Sequence, residues 1–282
     1  MSDPRAVLRK AGLAAKKSFG QNFLVSPHVV DNIAAACVRD GEVGRARVLE
    51  LGAGTGVLTR ALATRAKKVI AVERDRDLVP VLREELADAP NVEIVEGDAA
   101  SVDVHDLLGD VDPSSPRVLC GNLPYQITGR LLERAVVHAD DIDRAIFMVQ
   151  LEVVDRLAAE PSTKAYGALT VFVRAAFEPK KLFVVSPGSF HPPPDVTSAV
   201  ILLEPVRPRR AQETPTFRAL VKGAFGARRK TLKNAWSSVA PPERIGAAAH
   251  AADIALGARG ETLDVDAFAR MAAALDRDGS LG

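Results

Sequence analysis

From Arg47 onward, short apolar runs alternate with stretches whose apolar residues recur at helical spacing. Val48-Leu49-Glu50-Leu51 reads as a buried strand, followed by a glycine loop and a helix near Leu58 to Thr64. Val69-Ile70-Ala71-Val72-Glu73 predicts a second strand, and a charged helix from Asp77 to Leu86 follows it. Val92 to Val95, Val118 to Cys120 and Ala145 to Val149 supply three more strands. Strands separated by helices imply an α/β fold with a parallel sheet covered on both faces. Two further strands, near Leu182 and over Ala199 to Leu203, flank a proline-rich loop.

The pattern then changes. Pro205-Val206-Arg207-Pro208-Arg209-Arg210 reads as a linker, and beyond it alanine-rich helical segments run on without strand-like alternation. This predicts one domain over residues 1–205 and a small all-helical domain over 206–282. Residues 1–17, with Arg5, Arg9, Lys10, Lys16 and Lys17, read as a flexible basic arm. The 282 residues suit one large domain or two unequal ones, and 47% hydrophobic residues is ordinary for a packed core.

A net charge of +1 says nothing about an acidic partner, so any nucleic-acid surface must come from local clustering of basic residues. Such clustering exists. Arg228, Arg229, Lys230 and Lys233, with Arg207, Arg209, Arg210, Arg218 and Lys222, make the linker and the start of the second domain strongly basic. Cys37 and Cys120 are too far apart in sequence for metal-ligand spacing, and the five histidines do not cluster, so no metal is expected. The N-terminus lacks the apolar core of a signal peptide, and no apolar run reaches membrane-spanning length. A cytoplasmic protein without a membrane partner is expected.

Candidate chemistry sits at the strand ends. Glu50-Leu51-Gly52-Ala53-Gly54-Thr55-Gly56 closes the first strand, where glycines let the backbone approach a ligand. The dinucleotide fingerprint needs glycine where this chain has Val57, which argues against hydride transfer. Glu73 closes the second strand about twenty residues on, where a carboxylate can accept both ribose hydroxyl hydrogens. Asp98, in Glu96-Gly97-Asp98-Ala99 after the third strand, can accept from an adenine amino group. Alone, each acid reads as a solvated strand end. Three such features at successive strand ends point to a ligand site.

Gly121-Asn122-Leu123-Pro124-Tyr125 follows the fourth strand and resembles the N-L-P-Y motif of amino-methylating enzymes. An adenine amino nitrogen is a poor nucleophile because its lone pair is delocalised into the ring. The Asn122 side-chain oxygen and the Leu123 carbonyl can accept its two N–H bonds and favour a pyramidal nitrogen. Pro124 stiffens the loop, and Tyr125 can stack on the base, a contact worth roughly 1–3 kcal/mol.

Further segments carry a wider resemblance. Lys17-Ser18-Phe19-Gly20-Gln21-Asn22-Phe23-Leu24, Met148-Val149-Gln150-Leu151-Glu152-Val153 and Lys164-Ala165-Tyr166-Gly167 are three of them. Phe190-His191-Pro192-Pro193-Pro194-Asp195-Val196-Thr197-Ser198-Ala199 and Arg228-Arg229-Lys230-Thr231-Leu232-Lys233-Asn234 complete the set. In this order they resemble the bacterial small-subunit (16S) rRNA adenine N6,N6-dimethyltransferases.

The resemblance implies a Rossmann-like S-adenosylmethionine-dependent methyltransferase domain plus a small helical, RNA-binding C-terminal domain. It implies transfer of two methyls to each of two adjacent adenines near the 3′ end of 16S rRNA, in the immature small subunit. By the same resemblance, cofactor contacts fall on Asn22, Leu24, Gly52, Glu73, Asp98 and Asn122. Asn122, Leu123, Pro124 and Tyr125 hold the target base, and Phe190 faces it opposite Tyr125. A monomer is expected.

Two positions depart from the family's pattern. Gln126-Ile127-Thr128-Gly129 stands where N-I-S/T is frequent, and Leu151 stands where a lysine is usual. Cys120 reads as a small core residue, His191 as a loop residue and Trp236 as core of a helical domain. Two other readings stay open: a resistance-type methylase acting on a large-subunit adenine, and a binding module that serves ribosome assembly or transcription. The Phe190 loop and the Arg228 to Asn234 segment favour the small-subunit enzyme.

Overall fold

The protein is described from a computed structural model covering residues 3–109 and 114–279. Residues 1 and 2 of the expected arm, and the last three of the expected second domain, lie outside the described residues.

Among the described residues nine strands occur in chain order: β1 (Phe23–Leu24), β2 (Arg47–Leu51), β3 (Lys68–Glu73), β4 (Val92–Glu96), β5 (Arg117–Asn122), β6 (Arg144–Gln150), β7 (Phe177–Val185), β8 (Phe190–His191) and β9 (Ser198–Pro205). Seven form one sheet in the order β4-β3-β2-β5-β6-β9-β7, while β1 and β8 pair separately and antiparallel. Strands β2 to β6 pair with one another in parallel. Their β-branched runs are buried almost throughout, the composition expected where helices cover both faces of a sheet. The outer strand β4 instead has its two glutamates exposed and its three apolar residues only half-buried.

The sheet is not wholly parallel. β9 runs antiparallel to β6, in a register that sets Gln150 opposite Ser198 and Ala145 opposite Leu203.

The chain divides into two compact units, residues 1–154 with 180–205, and residues 155–179 with 206–282. The expected single boundary near residue 206 therefore accounts for only one of the junctions. Residues 155–179 group with the C-terminal helices because Tyr166 and Phe172 belong to the same apolar cluster as Phe217, Trp236 and Phe268. Within that unit Tyr166 lies edge-on to Phe225, and Phe172 edge-on to Phe217. The Trp236 indole N–H donates to the Leu220 carbonyl at 2.8 Å, so the tryptophan is core, as its sequence context suggested.

Prolines begin several helices, including Pro4–Lys10, Pro27–Cys37, Pro215–Gly226 and Pro242–Ala251. The missing N–H of proline is harmless in the first turn, where it would lack a helical partner anyway. The first of these helices changes the picture of the N-terminus. Residues 1–17 were expected as a flexible arm, yet Leu8 is buried with Phe23 and Leu78, and Lys16 is ion-paired. Among the described residues no helix is long and apolar enough to cross a membrane.

Candidate active site

The chain runs outward from β2 to β3 and β4, then returns to place β5 on the other side of β2. The reversal leaves a crevice at the carboxyl ends of β2 and β5, the place where open α/β sheets bind ligands. A cavity there is lined by Asn22, Leu24, Gly52, Glu73, Asp98, Asn122, Leu123, Pro124 and Tyr125, with Glu50, Phe19, Gln21 and Arg74 among others. Nine of the ten residues expected from the sequence thus converge on one cavity. Phe190 does not.

Phe190 is 4% exposed, opposite Leu24 in the β1–β8 pair, and belongs to a core cluster with Val30, Ile33 and Val200. Its ring packs in that core cluster and does not line the cavity. His191 beside it is exposed but lies in β8, opposite Phe23, and not in the loop expected for it.

Glu73 organises the glycine loop. It is 8% exposed, and its two oxygens accept from backbone N–H groups, Oε2 from Gly54 and Oε1 from Asp75, each at 2.7 Å. Burial pushes this carboxyl up, against the pull of those donors. Gly54 has φ 59°, and a Cβ there would stand 3.3 Å from the Phe23 ring. Only glycine fits that turn while the N-terminal segment lies so close. At the end of β5, a Cβ on Gly121 would stand 2.4 Å from the Leu51 carbonyl oxygen, so glycine is required where the strand leads into the loop.

The N-terminal segment ties the two ends of the cavity together. Asp75, almost fully buried, accepts from Lys16 Nζ at 2.5 Å and Gln21 Nε2 at 2.8 Å. Burial alone would raise this carboxyl, but Lys16, Gln21 and the Asp77 N–H hold it below its ordinary value. At the other end, Asn122 Nδ2 donates to the Asn22 carbonyl at 2.9 Å. An amide held by its nitrogen is fixed in orientation, with Oδ1 on the opposite side as an acceptor. Gln126, at the departure from the family's pattern, places its side-chain nitrogen 3.4 Å from the Lys17 carbonyl. Asp98 accepts from the Ala100 N–H at 3.0 Å, and its other oxygen lies 3.7 Å from Arg74.

The catalytic-loop candidates are well anchored. Leu123 donates its N–H to the Met148 carbonyl at 3.0 Å, and the Pro124 carbonyl accepts from Thr128 Oγ1 at 3.0 Å. The Tyr125 hydroxyl lies 2.7 Å from Ser198 Oγ. The sequence offers no sign of a role for Asp75 or Ser198 at this cavity, and Lys16 reads there only as part of the basic arm. Ser198 sat unremarked inside a quoted motif, and Asp75 sits two residues past Glu73, a spacing that carries no signal of its own.

The described residues contain no cluster of three His, Cys, Asp or Glu side chains that could hold a metal. The donor set suits a neutral-to-cationic nucleoside: carboxylates at two strand ends, a glycine loop and an orienting amide. Residues 12–277 match the sequence profile of the ribosomal RNA adenine dimethylase family. The chain belongs to that family.

Its members are S-adenosylmethionine-dependent methyltransferases, and the cavity has the donors such a cofactor requires. The chain is 43% identical to the ribosomal RNA small subunit methyltransferase A of Geobacter metallireducens, across 95% of this chain and 98% of the relative. It is 41% identical to the Myxococcus xanthus protein of the same name, over 98% and 96% of the two chains. Among solved structures, it is similar to a dimethyladenosine transferase from Plasmodium falciparum, with TM-score 0.76 and 25% identity over 91% of this chain and 98% of the other. The 23S rRNA methyltransferase ErmE is also similar, with TM-score 0.62 and 28% identity over 90% and 100%.

One further carboxyl in this family member's cavity carries a pH signature. Glu50 is 1% exposed, accepts from Thr59 Oγ1 at 2.6 Å, and is pushed up by burial to about 8. The folded protein therefore keeps a proton that the unfolded chain releases near its ordinary value of 4.5. The stabilisation from this group is complete below that value and is lost as pH rises toward and through about 8. Glu50→Gln is neutral at every pH and keeps an acceptor for Thr59. Its denaturant stability should gain on the native sequence as pH rises from about 5 to about 8. Parallel stability profiles for the two proteins would show that Glu50 is ionised in the fold.

Proposed function

We propose that this rRNA adenine dimethyltransferase acts on small-subunit ribosomal RNA, adding two methyl groups to N6 of each of two adjacent adenines near its 3′ end, within the immature particle. The observation that carries the reading is the shared cavity: the amide of Asn122, oriented by the Asn22 carbonyl, opens into the same space as the buried Glu73 carboxylate. The high identity to proteins named for the small subunit favours it over the large-subunit alternative.

Bound S-adenosylmethionine supplies an electrophilic methyl on a sulfonium centre. Glu73 is the residue to hold its ribose hydroxyls, and Asp98 its adenine amine. Asn22, Leu24, Gly52 and Asn122 are the remaining contacts. Asn122 Oδ1 and the Leu123 carbonyl would accept the two N–H bonds of the target amine and turn its lone pair toward the methyl, while Tyr125 stacks on the base. The amine's proton leaves to solvent after transfer, so no general base is needed, and rate comes from positioning. The cavity is complete within one chain, which supports a monomer as the working form.

We assign RNA affinity to the second unit, residues 155–179 with 206–282, but not to every basic residue in it. Arg210 is paired with Glu178, Arg218 with Glu213, and Arg228 donates to the Lys164 and Tyr166 carbonyls beside Glu261. These three hold the unit together. Arg229, Lys230 and Lys233 are exposed and are the phosphate candidates.

Three outcomes test these assignments. Glu73→Ala should weaken cofactor binding in calorimetry by roughly ten- to a hundredfold, the loss of a charged hydrogen-bond acceptor worth about 1.5–3 kcal/mol. Unchanged affinity would remove Glu73 from the ribose.

In the catalytic loop, Asn122→Ala should collapse turnover while particle binding stays near normal, as expected for a contact made chiefly in the transition state. Tyr125→Ala should fall far below Tyr125→Phe, which keeps the stacking ring. Labelled methyl transfer to unmethylated small subunits, with nucleoside analysis for N6,N6-dimethyladenosine, reads both. Normal turnover in Asn122→Ala, or label on cytosine or a ribose oxygen, would sink the mechanism.

Replacing Arg229, Lys230 and Lys233 by alanine should flatten the salt dependence of particle binding by roughly 0.7–0.9 in log–log slope per lost phosphate contact. Arg228→Ala should instead lower stability. A salt slope that does not change would reduce the exposed trio to a solvated face.

A further inference from the structure

The Phe190 to Ala199 segment reaches the site through a residue other than its aromatic. Phe190 is buried in a core cluster, but Ser198, at the start of β9, lies 2.7 Å from the Tyr125 hydroxyl. We propose that Ser198 is a positioning residue for methyl transfer, a fixed anchor that sets the plane of the Tyr125 ring on the acceptor base. This rests on the reading of Tyr125 as the base-stacking residue.

The argument is one of two-point attachment. Tyr125 belongs to a short turn, Tyr125–Ile127, directly after Pro124. Its backbone is held through the loop: Leu123 donates to the Met148 carbonyl of β6, and Ile127 donates to the Pro124 carbonyl at 3.1 Å. Those bonds fix where the ring is attached but leave its two side-chain torsions to be set by neighbours. The hydroxyl is the far end of the lever, and Ser198 holds it. Ser198 is itself immobilised, being fully buried and opposite Gln150 in the β6–β9 ladder. One strand of an antiparallel pair therefore anchors the base of the loop, and the other anchors the tip of its aromatic side chain.

A half-buried phenol needs a hydrogen-bond partner, and burial keeps it protonated, so either oxygen of the pair can donate. Stacking is tolerant of base identity but depends on ring orientation. A ring already lying in the productive plane need not be ordered when the base arrives, and such preorganisation appears in turnover more than in affinity. Ser198 touches neither base nor cofactor in this account. Its effect passes through Tyr125.

The test is a double-mutant cycle of Ser198→Ala and Tyr125→Phe, with Tyr125→Ala as the reference. Each single variant removes one half of the same hydrogen bond. Each should lower kcat for methyl transfer to unmethylated small subunits by about three- to tenfold, the scale of one lost hydrogen bond. KM for the particle and the affinity for S-adenosylhomocysteine should stay within about twofold. The double variant should be no slower than either single one, because the second change finds the bond already broken.

A disturbance of packing around Ser198 would behave differently, since it would persist in the Tyr125→Phe background and the losses would multiply. Multiplying losses therefore overturn the proposal, as does native turnover in either single variant. Should Ser198→Ala fail to fold, Tyr125→Phe alone still decides, because native turnover in it leaves Ser198 nothing to position. The underlying reading fails separately: if Tyr125→Ala also turns over normally, Tyr125 does not stack on the base at all.

Discussion

A buried carboxylate has to be satisfied by donors, and in this chain the donors that satisfy Glu73 are the backbone N–H groups that shape the cofactor cavity. Gly54 is drawn to the end of β3 by one oxygen, and the turn toward Asp75 is closed by the other. That turn brings Asp75 to where Lys16 and Gln21 meet it, and so fixes the N-terminal segment over the glycine loop. The same segment carries Asn22, whose carbonyl orients Asn122 at the opposite wall. Removal of the Glu73 carboxylate would thus disturb more than one contact, because the loop, the N-terminal segment and the Asn122 amide are joined in series.

Much of this was legible in the sequence for a physical reason. Strands buried on both faces must be continuous apolar runs, so β2, β3, β5 and β6 announce themselves, and polar ends such as Glu73 and Asn122 stand out against that background. The glycine loop, Glu73 and Asp98 follow from position at the strand ends, and Asn122 from the resemblance of its loop to a known motif. What could not be read is which way a side chain turns. Phe190 lies in a motif beside the site, yet its ring points to the core while Ser198, eight residues on, reaches the loop. Pairing with β1 places Phe190 and antiparallel pairing with β6 places Ser198, and neither pairing leaves a periodic trace in a sequence.

The basic residues show a related limit. A run of arginines and lysines reads as one surface, but guanidinium groups also serve as internal clamps that take several carbonyls at once. Arg210 and Arg228 do this, and Arg218 lies over the Phe172 ring at 5.3 Å. The N-terminal lysines divide in the same way, with Lys16 held by two aspartates. Charge counted along the chain overstates what is left for phosphate.

The second unit is assembled from two separated stretches of chain, 155–179 and 206–282, with the last strands of the first unit made between them. Tyr166 and Phe172 are synthesised long before Phe217, Trp236 and Phe268, the rings with which they share a core. During translation Phe172 and Tyr166 lack their ring partners until Phe217 and Phe225 have been made, so this unit closes through non-local contacts. It also has no single cut point. A fragment beginning at residue 206 would leave behind part of its own interior, and an exchange of this module between relatives would have to carry both pieces.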